Sequence, residues 1–100
     1  MIRWMRSAQI ASGKSVHALQ WAKEILEYTR KYEGVSKAEV FYDAFGDMGT
    51  LRWCADYPDL ASLEKVQTQI VSDPEWWKKM DEASNLFIET SIKDVVMRAL

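Results

Sequence analysis

Few residues of this sequence could do chemistry, and the first of them is its single histidine, His17. An imidazole titrates near neutrality, so His17 could act as a general base or bind a haem iron. Arg6 and Tyr42 could position a substrate beside such a base. The alternative interpretation is structural: His17 lies at helical spacing from Trp21 on the flank of a predicted helix, where a half-exposed histidine is common.

A second candidate site combines arginine and aromatic side chains on predicted strands: Arg3, Trp4, Arg6, Tyr42, Arg52 and Trp53. An arginine among aromatic rings can bind a carboxylate or stack on a planar ligand. Trp4 and Trp53 are candidate ligand-binding residues. Arg6 is of interest because the other residues on its side of the predicted strand are apolar. In the alternative, the guanidinium groups cover the rings at the rim of a dimer and reach water. That alternative suits Arg3 and Arg52 better.

Two further side chains could serve a pocket. The adjacent Trp76 and Trp77 cannot face the same way on a helix, so we expect one in the core and the other at a cavity mouth or an interface. Trp77 is therefore a third candidate ligand-binding residue, with packing as the alternative. Cys54 lies in mid-strand without a neighbouring base or helix N-terminus, which indicates a small buried side chain rather than a reactive thiol.

Composition excludes several classes of function. The net charge is −2 with 28% charged residues, and no basic stripe is present, so we expect no nucleic-acid partner. One cysteine allows no internal disulfide, and no metal-ligand spacing or cofactor motif occurs, so we expect neither a metal nor a cofactor. No apolar run approaches the ~20 residues of a membrane span. The N-terminal segment does not resemble a signal peptide. We expect a cytoplasmic protein of bacterial type.

Hydrophobic periodicity predicts the elements that must position these residues, within one domain spanning residues 1–100. Ile2 to Ile10 alternates as a strand does. A helix is predicted from Val16 to about Tyr32, with Ser15 as its N-cap and Gly34 ending it. Its apolar residues fall at helical spacing and should face a sheet: Ala18, Leu19, Ala22, Ile25, Leu26 and Thr29.

A β-hairpin is predicted next, because the strand-like runs Val35 to Phe45 and Thr50 to Tyr57 flank a short loop with glycine at both ends. Large apolar groups occur on both faces of this hairpin. Val40 and Tyr42 point to the face opposite Phe41 and Phe45, and Leu51 and Trp53 point to the face opposite Cys54. Helices can cover only one face of the sheet, so the other face predicts a buried interface. A homodimer in which two open sheet faces pack as a closed barrel would bury it.

Two helices should follow the hairpin. The first runs to about Val71, capped by Asp59 or Ser62. Its predicted buried edge consists of Leu60, Leu63, Val66 and Ile70. The second helix runs from Glu75 to about Asn85, with Asp73 as its cap and Pro74 in its first turn.

A last strand is predicted at roughly Phe87 to Val95, with Ile88, Thr90 and Ile92 on one side. With it the element order becomes βαββαβ. The predicted fold class is therefore α+β, a ferredoxin-like two-layer sandwich that forms a dimeric α/β barrel.

This order of elements resembles the dimeric α/β-barrel superfamily, which includes the antibiotic-biosynthesis monooxygenase-like and NIPSNAP-like families. The resemblance rests on four short segments: Gly13-Lys14-Ser15, Tyr32-Glu33-Gly34, Phe45-Gly46-Asp47 and Asp73-Pro74-Glu75-Trp76. It implies a half-barrel that dimerises through its sheet, with a ligand held in a cavity between sheet and helices. Similar barrels carry out oxygenation without cofactors, lactone isomerisation or haem chemistry, or have no known activity. The fold therefore does not select the function.

Three functional hypotheses follow. The first is a dimeric barrel protein of uncharacterised activity that binds a small hydrophobic or aromatic molecule. The second is a cofactor-independent monooxygenase or isomerase acting on an aromatic or polyketide-like metabolite, with His17 as base and Arg6 or Tyr42 positioning it; a solvent-facing His17 would count against this. The third is a non-catalytic dimeric module whose aromatic residues only pack, which a cavity below roughly 300 Å3 would favour.

Overall fold

The computed structural model describes residues 1–100 and has the predicted ferredoxin-like α+β architecture. Its antiparallel sheet has the strand order β2-β3-β1-β4. The strands are β1 (Ile2–Gln9), β2 (Lys37–Tyr42), β3 (Thr50–Tyr57) and β4 (Lys93–Arg98), and the helices are α1 (Ser15–Thr29), α2 (Leu60–Val71) and α3 (Pro74–Glu82). The central strands β1 and β3 pair along their whole length, from Ile2 opposite Tyr57 to Gln9 opposite Thr50. The position of β3 was predicted correctly.

The helices cover one face of the sheet, and this shows which residues of each strand point toward them. On β1 the even-numbered residues face the helices, and Ile2 and Ala8 are buried. Two apolar clusters fill the space between the layers. One lies beneath α1 and contains Ala8, Ile10, Ala18, Ala22, Ile25, Leu51, Trp53, Ala83 and Leu86. The other lies beneath α2 and contains Ile2, Ala55, Tyr57, Leu63 and Val66. Alanine at positions 18 and 22 lets α1 lie close to the strands.

The helix starts show which local predictions were correct. The Asp59 carboxylate accepts the Ser62 N–H at 2.8 Å and caps α2. Asp73 caps α3 in the same way, with Pro74 at the first helical position. The prediction of Ser15 as an N-cap was wrong, because α1 already includes that residue and its preceding residue makes no side-chain cap.

Several element ends differ from the prediction. α1 ends at Thr29 rather than near Tyr32, because the chain turns there and the Tyr32 hydroxyl is directed to α3 instead. Gly34, which was expected to end this helix, has φ +108° and lies five residues beyond it. β2 is shorter than expected because residues 35–36 and 43–45 lie outside the strand. α3 ends early at Glu82, where turns follow it. Leu60 was placed on the buried edge of α2, but this first residue of the helix is exposed.

The last strand begins later than predicted, at Lys93 rather than Phe87. Phe87 instead forms an isolated bridge with Ile10, and a 3-10 turn follows it. The Ser91 hydroxyl accepts the Gln9 N–H at 2.8 Å, so a side chain takes the place of a strand partner at the end of β1. Most of the apolar alternation that predicted a strand therefore lies in the connection between α3 and β4. β4 itself extends to Arg98.

Candidate ligand-binding cleft

An open cleft lies between α2 and the half of the sheet formed by β1 and β4. Its volume is about 580 Å3, and its lining residues are Trp4, Leu63, Glu64, Gln67, Thr68, Asp94 and Val96. The cleft exists because the helices pack over β1, β2 and β3, whereas all six residues of the edge strand β4 are exposed.

Strand register and helical spacing together bring these residues to one place. Trp4 on β1 is opposite Val96 on β4, and both project toward the helix layer. On α2, Leu63 and Gln67 are four residues apart and so lie on one side of the helix. Apolar groups from strands and helix thus form part of the cleft wall, and polar side chains of α2 border it.

Arg6 makes the principal polar contact beside the cleft. Its Nε and Nη2 donate to the two carboxylate oxygens of Asp94 at 2.7 and 2.8 Å. Its guanidinium carbon lies 5.3 Å from the centre of the Trp4 ring, within range of a cation–π contact. Arg6, and more weakly Trp4, lower the pKa of Asp94 below its usual value. The arginine that interrupts the apolar parity of β1 therefore has a fixed anionic partner.

Trp53 lies next to Arg6 on β3 but not in the cleft. Its ring contacts Trp21 and Phe87 edge to face, at centroid distances of 6.1 and 5.5 Å. The indole N–H of Trp53 is buried without a hydrogen-bond partner. The structure places this candidate ligand-binding residue inside an aromatic cluster beneath α1.

The structure does not bring the remaining candidates to the cleft. His17 is exposed in the first turn of α1. Tyr42 is 51% exposed at the end of β2, and Trp77 is 49% exposed on α3. The Trp77 indole N–H donates to the carbonyl oxygen of Val71. Of the six candidate residues, only Trp4 and Arg6 lie together at the cleft.

Sequence reasoning missed a polar cluster that joins α1 to α3. The hydroxyl groups of Tyr28 and Tyr32 both donate to Oδ2 of Asp73, at 2.5 and 2.7 Å. Trp76 packs against both tyrosine rings. Burial and the bond to Asp73 raise the pKa of Tyr32, and the same carboxylate raises the pKa of Tyr28. The four-residue spacing of the tyrosines was a usable signal for a shared partner on a neighbouring helix.

The sheet face turned away from the helices carries two aligned ion pairs. Arg3 contacts both carboxylate oxygens of Asp56 at 2.7 and 3.0 Å, and Arg52 contacts Asp43 at 2.8 and 3.0 Å. Each arginine lowers the pKa of its aspartate. Cys54 lies between them and is half-buried, and this burial raises the pKa of its thiol. Apolar side chains share this face: Met5, Phe41, Val95 and Met97.

Two further observations describe the chain as a whole. No three histidine, cysteine or acidic side chains are close enough to hold a metal ion. No helix combines the length and the apolar character needed to cross a bilayer.

The four-stranded antiparallel sheet, covered on one face by helices, places this chain in the ferredoxin-like class of α+β proteins. Comparison with known proteins identifies the family. The NIPSNAP family model matches residues 4–99, so this chain belongs to the NIPSNAP family. No protein of curated function is detectably similar in sequence.

Solved structures agree on the fold. An uncharacterised NIPSNAP domain protein from Burkholderia xenovorans superposes with a TM-score of 0.81 at 17% identity, covering 100% of this chain and 95% of the other. A NIPSNAP family protein of unknown function from Agrobacterium tumefaciens gives 0.81 at 14% identity, covering 99% and 87%. An antibiotic biosynthesis monooxygenase gives 0.77 at 18%, covering 100% and 99%. At these identities the likeness concerns the fold alone.

Proposed function

We propose that this protein binds a small apolar or aromatic molecule in the cleft between α2 and the β1–β4 half of the sheet. The observation that carries the proposal is the cleft itself. Its volume of about 580 Å3 exceeds the roughly 300 Å3 at which drug-sized ligand sites begin. Trp4, Leu63 and Val96 supply apolar surface to pack a ligand, and polar groups of α2 border the cleft and could orient it.

The proposal includes a homodimer formed through the open face of the sheet. Phe41 is 48% exposed and Val95 is 44% exposed on this face, and exposed apolar side chains grouped on one face are typical of an interaction surface. The arginines of the same face are already paired with aspartates, so a second copy could cover them without leaving a charge unpaired. A symmetric pairing of two such faces satisfies both copies at once.

The geometry favours binding over the two alternatives. The catalytic hypothesis needs His17 near the arginine, but the histidine is exposed and does not line the cleft. The packing-only hypothesis expects a smaller cavity than the one observed. We also propose that the protein is cytoplasmic.

Occupancy of the cleft can be tested with the neutral aromatic probe 2-naphthylmethanol. Titration followed by 1H–15N NMR should shift the Trp4 indole signal before those of the other tryptophans. Val96→Trp should fill the cleft and abolish the shift. Val16→Trp makes the same change at an exposed site on α1 and should leave binding intact. Equal binding by both variants would show that the probe binds elsewhere and that the cleft is not the site.

Assembly can be tested with two neighbouring residues on opposite faces of β4. Val95 is opposite Met5 on the open face, and Val96 is opposite Trp4 on the cleft face. Native mass spectrometry should show a dimer for the wild type and for Val96→Asp, and a monomer for Val95→Asp. A wild-type monomer, or a dimer that Val95→Asp leaves intact, would contradict assembly through this face.

A further inference from the structure

Resting on the proposed function, we infer that the cleft selects its ligand by charge, and that its ligand is an apolar or aromatic molecule bearing a cationic nitrogen such as a protonated amine. The inference follows from the charged groups at the cleft and from the partners that each of them has. An arginine beside an aromatic ring would by itself indicate a carboxylate ligand. The contacts of this arginine point the other way.

The cation that contacts the lining residue Asp94 is already engaged. Arg6 contacts both oxygens of Asp94 with two of its nitrogens, in the forked geometry that is the strongest pairing available to arginine. A carboxylate ligand could reach only the N–H groups of Arg6 that Asp94 does not use, and the positive charge of the guanidinium is already balanced by that aspartate. The arginine therefore stabilises the wall of the site and offers little to an anion.

The cleft has one acidic side chain without a partner. Its lining residues include Glu64 and Asp94 but no lysine or arginine. Asp94 is neutralised by Arg6, whereas Glu64 forms no ion pair. The α2 residues three and four positions from Glu64 are Leu60, Ala61, Gln67 and Thr68, none of which carries a positive charge. The residues that line the cleft therefore carry a negative charge.

Trp4 supplies the aromatic surface of the cleft. Arg6 already makes a cation–π contact with this ring, so the ring serves the apolar part of the ligand and Glu64 its charge. A ligand whose apolar part packs on Leu63 and Val96 could place a protonated amine near Glu64, which lies on the same stretch of α2 as Leu63. None of the lining residues carries a positive charge that could hold an anion.

Three matched probes separate charge from shape: 2-naphthylmethylamine, 2-naphthylmethanol and 2-naphthoate, which are cationic, neutral and anionic at pH 7. Affinities of the full chain are measured by NMR titration on the Trp4 indole signal. We expect the amine to bind most tightly and the acid most weakly. Glu64→Gln should weaken amine binding about two- to fivefold, the size typical of one partly exposed charge pair, and leave the alcohol unchanged. Glu82→Gln removes an exposed charge from α3 and serves as the matched control.

A second variant tests the role of the arginine. Asp94→Asn removes the partner of Arg6 and should raise the affinity for 2-naphthoate while lowering that for the amine. If 2-naphthoate binds the wild type as tightly as the amine does, the inference is wrong, although the cleft is still a binding site. If none of the probes shifts the Trp4 signal, the proposed function fails and the inference fails with it.

Discussion

Replacing Val66 by alanine tests how α2 is seated on the sheet. Val66 is fully buried in the cluster formed with Ile2 and Tyr57. The change removes two methyl groups, whose burial contributes roughly 1.6 kcal/mol, and the remaining cavity adds about 1 kcal/mol. The better helix propensity of alanine returns about 0.5 kcal/mol. We therefore expect the free energy of unfolding to fall by about 2 kcal/mol.

Val71→Ala supplies the matched control, since it makes the same chemical change on the same helix at a side chain that is 64% exposed. Its effect should stay within about 0.5 kcal/mol. Urea unfolding followed by tryptophan fluorescence gives both values, provided that the dependence on denaturant is unchanged. If Val66→Ala costs no more than Val71→Ala, then α2 does not pack through this edge and the position of the cleft beside it is also wrong.

Two other predictions follow from exposed and paired side chains. His17→Ala should change the free energy of unfolding by less than about 0.5 kcal/mol, because the ring is exposed; a loss well above ~1 kcal/mol in the same denaturant assay would show that it is packed or bonded. Asp94 has a lowered pKa in the folded state, so its contribution to stability is present above the unfolded pKa and is lost as the pH falls through the folded pKa. Acidification below about pH 4 should therefore destabilise the wild type more than Asp94→Asn, and parallel pH profiles in denaturant melts would contradict this.

The sequence was sufficient to predict the order of elements because each one has its own periodicity and its own local signals. The Asp73-Pro74 pair, for example, acts within a few residues, and β3 and the caps of α2 and α3 were predicted correctly. Ser15 shows the limit of such signals. Serine is a common N-cap, and Ser15 precedes a helical pattern. In the structure Ser15 is the first residue of α1, and no side chain caps this helix.

The last strand was displaced for a different reason. A short apolar alternation predicts a strand only if a neighbouring strand accepts its hydrogen bonds. At the end of β1 that role is taken by the Ser91 hydroxyl on Gln9. The ladder then begins at Lys93 opposite Ser7. Competition between a side chain and a backbone partner is a tertiary effect that local patterns do not report.

The cleft could be predicted only in part, because it depends on this same register. The sequence singled out Arg6 as a charge on an apolar parity, and such a charge needs an acidic partner on an adjacent strand. With the register of β1 and β4, that partner is Asp94. The predicted strand included Asp94, but the sequence did not give its register against β1 and so gave no reason to pair the two. The consequence extends to function, since an unpaired arginine would indicate an anionic ligand, whereas the observed pair leaves Glu64 to determine the charge of the cleft.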